Sequence, residues 1–151
     1  MKTTLIDIEK ALISGTYVSL ENQTLIDTVF SETELSGSRF ENCHFENVVF
    51  EDVEIQATEF INCSFVNCKF LGCNFSFVRV TNCNLMMCTV SNCALSLTNS
   101  LQSNYLSCTF LNNDLNLSEL FAGSKTHECI TDDTLTNLVV SEESSLLNLV
   151  A

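Results

Sequence analysis

The cysteines are the residues in this chain whose type and spacing could do chemistry. Residues 59–77 read EFINCSFVNCKFLGCNFSF, which places Cys63, Cys68 and Cys73 five residues apart. Thiolates bind zinc, and thiols form disulfides, when several of them lie close together in space. A structural zinc site typically shows cysteine pairs about two to four residues apart, often with histidine. The spacing here differs from that pattern, so the elements that position the cysteines decide between the alternatives.

The same interval of five residues runs through most of the chain. Of the 21 positions divisible by five from Leu20 to Leu120, 20 carry a large apolar residue, and nine of the 11 phenylalanines lie among them. Two residues before each of these central positions lies a set of mostly small residues, which holds eight of the nine cysteines. Charged side chains between Val18 and Leu120 avoid both sets. Because a buried, unpaired charge is costly, both sets are predicted to face inward.

A period of five matches neither an α-helix nor a plain β-strand. It fits a coil with one corner per unit, in which four units form a square turn of about 20 residues and successive turns stack roughly 4.8 Å apart. The inward-facing residues then form ladders along the coil axis. The predicted core ladder contains Phe40, Phe45, Phe50, Phe60, Phe65, Phe70, Phe75, Cys63, Cys68, Cys73, Cys83, Cys88 and Cys93.

This pattern resembles the pentapeptide-repeat family, whose unit is a small residue, any residue, Leu or Phe, and two variable residues. Matching units include CHF at 43–45, CSF at 63–65 and CNF at 73–75. The resemblance covers about two thirds of the chain and implies an all-β solenoid, a right-handed quadrilateral β-helix of about five turns. Cysteine often stands where the family usually has alanine.

The ends of the chain are predicted to be helical. Residues 1–15 are expected to form a short N-terminal helical cap, residues 16–120 the β-helix, and residues 121–151 a C-terminal cap or dimerisation segment, because apolar residues recur there at helical spacing. In this interpretation His127 and Cys129 lie outside the repeats. The tail either closes the coil or forms a homodimer. The possible dimer interface is Leu135, Leu138, Val139, Leu146 and Leu149.

This fold predicts that the cysteines are structural. Cys63, Cys68 and Cys73 would lie on three different sides of one turn, and each would act as a small buried hydrophobe rather than a metal ligand. The sequence contains no glycine-rich phosphate loop and no nucleophile or metal motif. The inner positions are filled with side chains, so no interior pocket is expected. We therefore expect neither enzymatic activity nor a cofactor or metal.

Charge limits the kinds of partner. The chain has 19 acidic and 6 basic side chains and a net charge of −13. Such a surface repels phosphate, so direct binding to nucleic acid or to an anionic membrane is not expected. The first 15 residues carry charges within their apolar run, unlike a signal peptide. The nine cysteines then indicate reduced thiols and a cytoplasmic location.

Two functions remain open. The favoured one is a non-enzymatic scaffold that binds an unidentified protein partner through its outer faces. The alternative, which comes from the resemblance to quinolone-resistance members of the family, is an acidic DNA mimic that binds a type II topoisomerase such as DNA gyrase. Exposed apolar residues often mark an interaction site, and Met86 and Met87 enlarge the apolar surface. The possible interaction surface is Glu41, Glu46, Glu51, Asp52, Glu54, Phe77, Leu97 and Leu117.

Overall fold

The chain folds into a solenoid of short parallel strands, in which each strand pairs with the strand one turn away. The computed structural model describes residues 18–114 and 123–132, and this part contains strands and no helix. Strand partners lie 20 residues apart, as in the pairing of Leu20 with Phe40. The predicted quadrilateral β-helix of about five turns is confirmed. The helices predicted in residues 1–15 and at the C-terminal end lie outside the described residues.

The solenoid has four faces, three of which are parallel sheets. Face 1 contains β1 (Ser19–Glu21), β4 (Arg39–Glu41), β7 (Glu59–Ile61), β10 (Arg79–Thr81) and β13 (Asn99–Leu101). Face 2 contains β2 (Thr24–Ile26), β5 (His44–Glu46), β8 (Ser64–Val66), β11 (Asn84–Met86), β14 (Asn104–Leu106) and β16 (Lys125–His127). Face 3 contains β3 (Val29–Ser31), β6 (Val49–Glu51), β9 (Lys69–Leu71), β12 (Thr89–Ser91), β15 (Thr109–Leu111) and β17 (Ile130–Thr131). Face 4 is held by single bridges that join Glu34, Glu54, Asn74, Ala94 and Asp114 in turn.

Each corner depends on one residue with left-handed backbone. The residue two places after each central position has a positive φ, for example 57° at Asn22 and 55° at Asn42. Asparagine adopts this conformation more readily than most residues, which explains its recurrence at the corners. After face 4 the corner is a β-turn, closed in the first turn of the coil by a 3.2 Å hydrogen bond from the Ser38 amide to the Leu35 carbonyl.

The small inward-facing residues satisfy buried backbone carbonyls. The Cys63 thiol donates to the carbonyl of Phe40 at 3.3 Å, and the Thr58 hydroxyl donates to the carbonyl of Leu35 at 3.0 Å. The same contact, 23 residues back along the chain, recurs at most small positions that carry a thiol or a hydroxyl. A buried carbonyl without a partner is costly, so a short donor is favoured here over alanine.

The phenylalanines form a close-packed aromatic core. Rings in successive turns stack face to face, with centroids 4.7 Å apart for Phe45 and Phe65 and 4.8 Å apart for Phe50 and Phe70. Neighbouring columns meet edge to face, as between Phe65 and Phe70 at 5.7 Å. Both geometries are favourable for aromatic pairs. The seven predicted core-ladder phenylalanines are all buried.

The next turn contains a cavity that the sequence did not predict. The central residues of this turn are aliphatic: Val80, Leu85, Val90 and Leu95. They fill less volume than the phenylalanine rings below them, and an apolar cavity of about 40 Å³ remains between these side chains and Tyr105 and Phe110. Val80 is only partly buried, which fits its position at the cavity wall. The expectation that the interior has no pocket is therefore wrong.

The β-helix also extends further than expected. Asn104 pairs with Lys125, which is 21 residues away rather than 20, so one extra residue is inserted between these strands. The insertion shifts the phase of the repeat, and the buried positions become Thr126, Cys129 and Thr131. The predicted boundary at residue 120, and the placement of His127 and Cys129 outside the repeats, are therefore wrong. Residues 125–131, which were predicted to belong to the C-terminal segment 121–151, are instead part of the solenoid.

Candidate interaction surface

The cysteines belong to the core and stack in columns along the coil axis. All nine are free thiols and all are buried. Cys63, Cys68 and Cys73 begin three successive units of one turn and donate to three different carbonyls, those of Phe40, Phe45 and Phe50. Within residues 18–114 and 123–132, no group of three or more His, Cys, Asp or Glu side chains is placed to hold a metal ion. The geometry gives these thiols a packing and hydrogen-bonding role.

Stacked thiols influence each other's protonation. The hydrogen bond between the Cys43 and Cys63 side chains, together with burial, raises the pKa of the Cys43 thiol above its usual range. In the next column, contacts with Cys108 and Cys68 lower the pKa of Cys88, while a contact with Cys88 and burial raise that of Cys68. Cys88 is only 1% exposed. Its thiol is therefore shielded from reagents in solution.

The acidic side chains are concentrated on the first turns. Ten acids lie between Glu21 and Glu59, and residues 60–113 contain none. Arg39 is the one Lys or Arg in the acidic segment, and it pairs with Glu41 at 3.1 Å and with Glu59 at 3.2 Å. The predicted surface residues Glu51, Asp52 and Glu54 are exposed, while Glu41 and Glu46 are half-buried. Exposed ion pairs contribute little to stability, so most of this charge is available for other contacts.

Large apolar side chains occupy three exposed corners. Phe77 is 58% exposed with a φ of 63°, Met87 is 52% exposed with a φ of 55°, and Leu97 is 42% exposed with a φ of 56°. Phe77 and Leu97 stack on the corner between faces 4 and 1, and Met87 lies on the diagonally opposite corner. Left-handed backbone is unfavourable for bulky side chains, so these positions combine local strain with exposed apolar area.

Some surface predictions fall outside the described residues. Leu117 and the five predicted dimer-interface residues lie there, and they stay predictions. Met86 and Met87, which were expected to enlarge the apolar surface, are both exposed. The exposed Ile26, Val29, Leu101 and Ile130 were not among the predicted surface residues. Residues 18–114 and 123–132 contain no helix that could cross a membrane.

Sequence comparison supports the repeat found in the chain. A family profile described as pentapeptide repeats, in eight copies, matches residues 16–52 and 50–85. No curated protein matches the chain.

Three solved structures that match the chain are pentapeptide repeat or resistance proteins. A pentapeptide repeat protein, Rfr23, from the cyanobacterium Cyanothece 51142 is 14% identical with a TM-score of 0.53, and the match covers 74% of this chain and 62% of that one. HetL from Nostoc sp. strain PCC 7120, described as involved in heterocyst differentiation regulation, is 7% identical with a TM-score of 0.32, covering 86% and 82% of the two chains. QnrB1, a plasmid-mediated fluoroquinolone resistance protein, is 15% identical with a TM-score of 0.31, covering 80% and 87%. The match with Rfr23 shows a shared right-handed β-helix, and this chain spans less than two thirds of that protein.

Proposed function

Because the chain belongs to the pentapeptide-repeat family, we propose that it is a non-enzymatic scaffold that binds another protein through its outer faces. The observation that carries this proposal is the placement of Phe77, Met87 and Leu97 at exposed, left-handed corners. Asparagine would fit the same corners with less strain, as Asn82 and Asn92 do nearby. Side chains that oppose the local backbone preference are expected where function requires them.

Replacing these corner residues tests the scaffold function. The triple variant Phe77→Asn, Met87→Asn, Leu97→Asn keeps the corner conformation and removes the apolar surface. We expect the full-length variant to fold. In affinity capture from a lysate of the source organism, we expect it to bind none of the proteins that the unmodified chain enriches. If both chains enrich the same proteins, the corner residues do not bind a partner. The variant Asn82→Ser, which changes a polar corner, serves as the control.

A DNA mimic that binds a type II topoisomerase such as DNA gyrase is the second candidate. The ten acids between Glu21 and Glu59 favour it. The lack of acids in residues 60–113 weakens it, because a duplex carries charge along its whole length. A supercoiling assay with purified gyrase separates the two functions. The scaffold proposal expects no inhibition at concentrations of protein equal to that of the enzyme, whereas stoichiometric inhibition would favour the mimic.

We also propose that two chains form a homodimer through the C-terminal segment. The apolar residues Leu135, Leu138 and Leu149, which recur at helical spacing, support this proposal. Light scattering on the full-length protein at micromolar concentrations tests the proposal. A mass of two chains is expected, and a mass of one chain would contradict it.

A cytoplasmic location remains part of the proposal. Its support is the set of nine buried, free thiols, which a reducing compartment preserves. Cell fractionation with an antibody against the full-length chain provides the test. Recovery in the cytoplasmic fraction is expected, and recovery from the medium or a membrane fraction would contradict it.

A further inference from the structure

Face 4 differs from the three sheet faces in shape and chemistry. Its outward residues in the first two turns are acidic, with Glu34 and Glu54 on the face and Glu32 and Asp52 at the adjacent corner. In the next two turns the outward residues are small or short: Asn74, Ser76, Ala94 and Ser96, with Gly72 at the corner. Face 4 therefore changes from two acidic lower turns to two shallow, uncharged turns, and Asp114 lies above them on the same face.

Glu32, Glu34, Asp52 and Glu54 take part in none of the ion pairs within residues 18–114 and 123–132. The described ion pairs involve Arg39, His44 and His127, and none of them reaches this face. Glu34 accepts a 2.8 Å hydrogen bond from the Ser36 amide, and Glu54 accepts one of 3.1 Å from the Gln56 side chain. These local contacts orient the carboxylates and leave their charge uncompensated. The four acids form a negative patch that is ready to pair with cations.

The two uncharged turns of face 4 have an apolar rim. Phe77 and Leu97 stand on the corner with face 1, one turn apart, and both are exposed. The residues beside them on the face, Ser76 and Ser96, are half-buried and short. Phe77 and Leu97 therefore project beyond the floor of the face and form one wall of a shallow shelf. A side chain laid along the shelf would contact both rim residues.

We propose that face 4 binds a basic, amphipathic segment of a partner protein. Cationic side chains of this segment pair with Glu34, Glu54 and Asp52, and its apolar side chains pack against Phe77 and Leu97. The turns that carry these residues span roughly 15 Å along the axis, which is the reach of about five extended residues. The inference rests on the proposed scaffold function and specifies the face and the chemistry of the partner.

Charge complementarity favours this occupant over a second copy of the chain. Each chain has a net charge of −13, so two copies that met on this face would repel each other electrostatically. The described lysines and arginines of a second copy are Arg39, Lys69, Arg79 and Lys125, which are spread over faces 1, 2 and 3. They offer no row of cations that matches the acids of face 4. A basic segment meets the acidic patch and the apolar rim together.

A synthetic peptide of defined chemistry tests the inference. The probe is a peptide of roughly eight residues with two arginines at one end and two leucines at the other, long enough to span the face. Its control has glutamate in place of arginine. Amide chemical shifts of the labelled full-length protein report where each peptide binds. We expect the arginine peptide to shift residues 32–37, 52–57, 74–77 and 94–97, and the glutamate peptide to shift none of these.

Matched variants test whether peptide binding depends on face 4 or on apolar surface and charge elsewhere on the protein. The pair Phe77→Asn with Leu97→Asn, and the pair Glu34→Gln with Glu54→Gln, should each weaken peptide binding by about tenfold or more. Two controls should leave binding unchanged. Val29→Asn replaces an exposed apolar residue on face 3, and Glu21→Gln removes an exposed acid from face 1. Equal weakening by these controls, shifts spread over all faces, or no binding would overturn the inference.

Two further outcomes distinguish the occupant. Added salt should weaken binding, because the arginines pair with exposed carboxylates. Binding that is insensitive to salt would mean that the apolar rim acts alone, which contradicts the proposed chemistry. Concentration-dependent shifts of face 4 without peptide would identify a second copy as the occupant and also overturn the proposal. If capture of partners depends on the corners while the peptide fails to bind, the scaffold function stands and the inference about face 4 fails.

Discussion

The lower turns of the solenoid, residues 18–57, differ from its upper turns, residues 77–114. The lower turns contain Phe30, Phe40, Phe45 and Phe50 in the core and carry nine acids outside. The upper turns have a more aliphatic core with a cavity of about 40 Å³. They expose five large apolar residues, Phe77, Met86, Met87, Leu97 and Leu101, whereas the lower turns expose two, Ile26 and Val29. One backbone geometry serves both regions. The difference shows that inward residues set packing while outward residues are free to vary with function.

The largest difference between the regions should appear when core side chains are truncated. Phe45 is 1% exposed and stacks on Phe65 at 4.7 Å, so Phe45→Ala should lower the free energy of unfolding by about 3–5 kcal/mol. Leu85 already borders the cavity, so Leu85→Ala should lower it by about 2–3 kcal/mol, the lower end of the usual range. Denaturant unfolding measures both values, with Glu54→Ala as a nearly neutral control. A larger loss for Leu85→Ala would contradict the packing difference.

Adding one methylene group should have opposite effects in the two regions. Val48 is fully buried in a close-packed part of the lower turns, so Val48→Ile should destabilise the protein by about 1–3 kcal/mol. Val80 borders the cavity, so Val80→Ile should fill part of this space and stabilise the protein by up to about 0.8 kcal/mol. Melting temperatures and denaturant midpoints measure the sign. Destabilisation by both variants would mean that the cavity cannot accept the added group.

Alkaline pH should weaken the upper turns through Tyr105. Burial raises the pKa of Tyr105, whose ordinary value is 10.0. The neutral phenol contributes stability that is fully present below pH 10 and is lost as the pH rises towards the higher folded-state pKa. Each pH unit above 10 should cost up to about 1.4 kcal/mol, and Tyr105→Phe should remove this part of the slope.

The pH prediction has a direct check. The free energy of unfolding is measured by denaturant titration across the range from neutral to alkaline pH for the unmodified chain and for Tyr105→Phe. Ionising thiols such as Cys43, whose pKa is also raised, add a slope common to both proteins. Identical slopes in the two proteins would show that Tyr105 titrates normally and is not constrained by burial.

The sequence predicted the repeating parts of this fold and missed its irregularities. The inward register of Phe65 and Cys63 followed from the period of five and from the placement of charges. The extension to Thr131 was missed because one inserted residue shifts the phase, and because Thr126 and Thr131 are polar where Leu or Phe is expected. Thr126 and Thr131 also bury hydroxyl oxygens without a hydrogen-bond partner. A periodic pattern cannot reveal a local break that lacks the marker residues.

The candidate surface was predicted only in part. Phe77 and Leu97 stood out as apolar residues in an outer column, and both are exposed. Their left-handed backbone and the shelf beside them depend on how each corner turns, which the period does not specify. The cavity depends on the summed side-chain volumes in one turn, which the repeat period does not specify either.

The smallest expected effect tests the central claim most directly. If Phe77 and Leu97 are present for binding rather than for folding, replacing both with asparagine should change the free energy of unfolding by less than about 1 kcal/mol. The loss of partly buried apolar area and the relief of left-handed strain oppose each other in this variant. Denaturant unfolding of the full-length pair variant beside the unmodified chain measures the difference. Equal or slightly higher stability is the predicted result, and a loss above about 2 kcal/mol would show that these residues hold the fold together and would contradict the account.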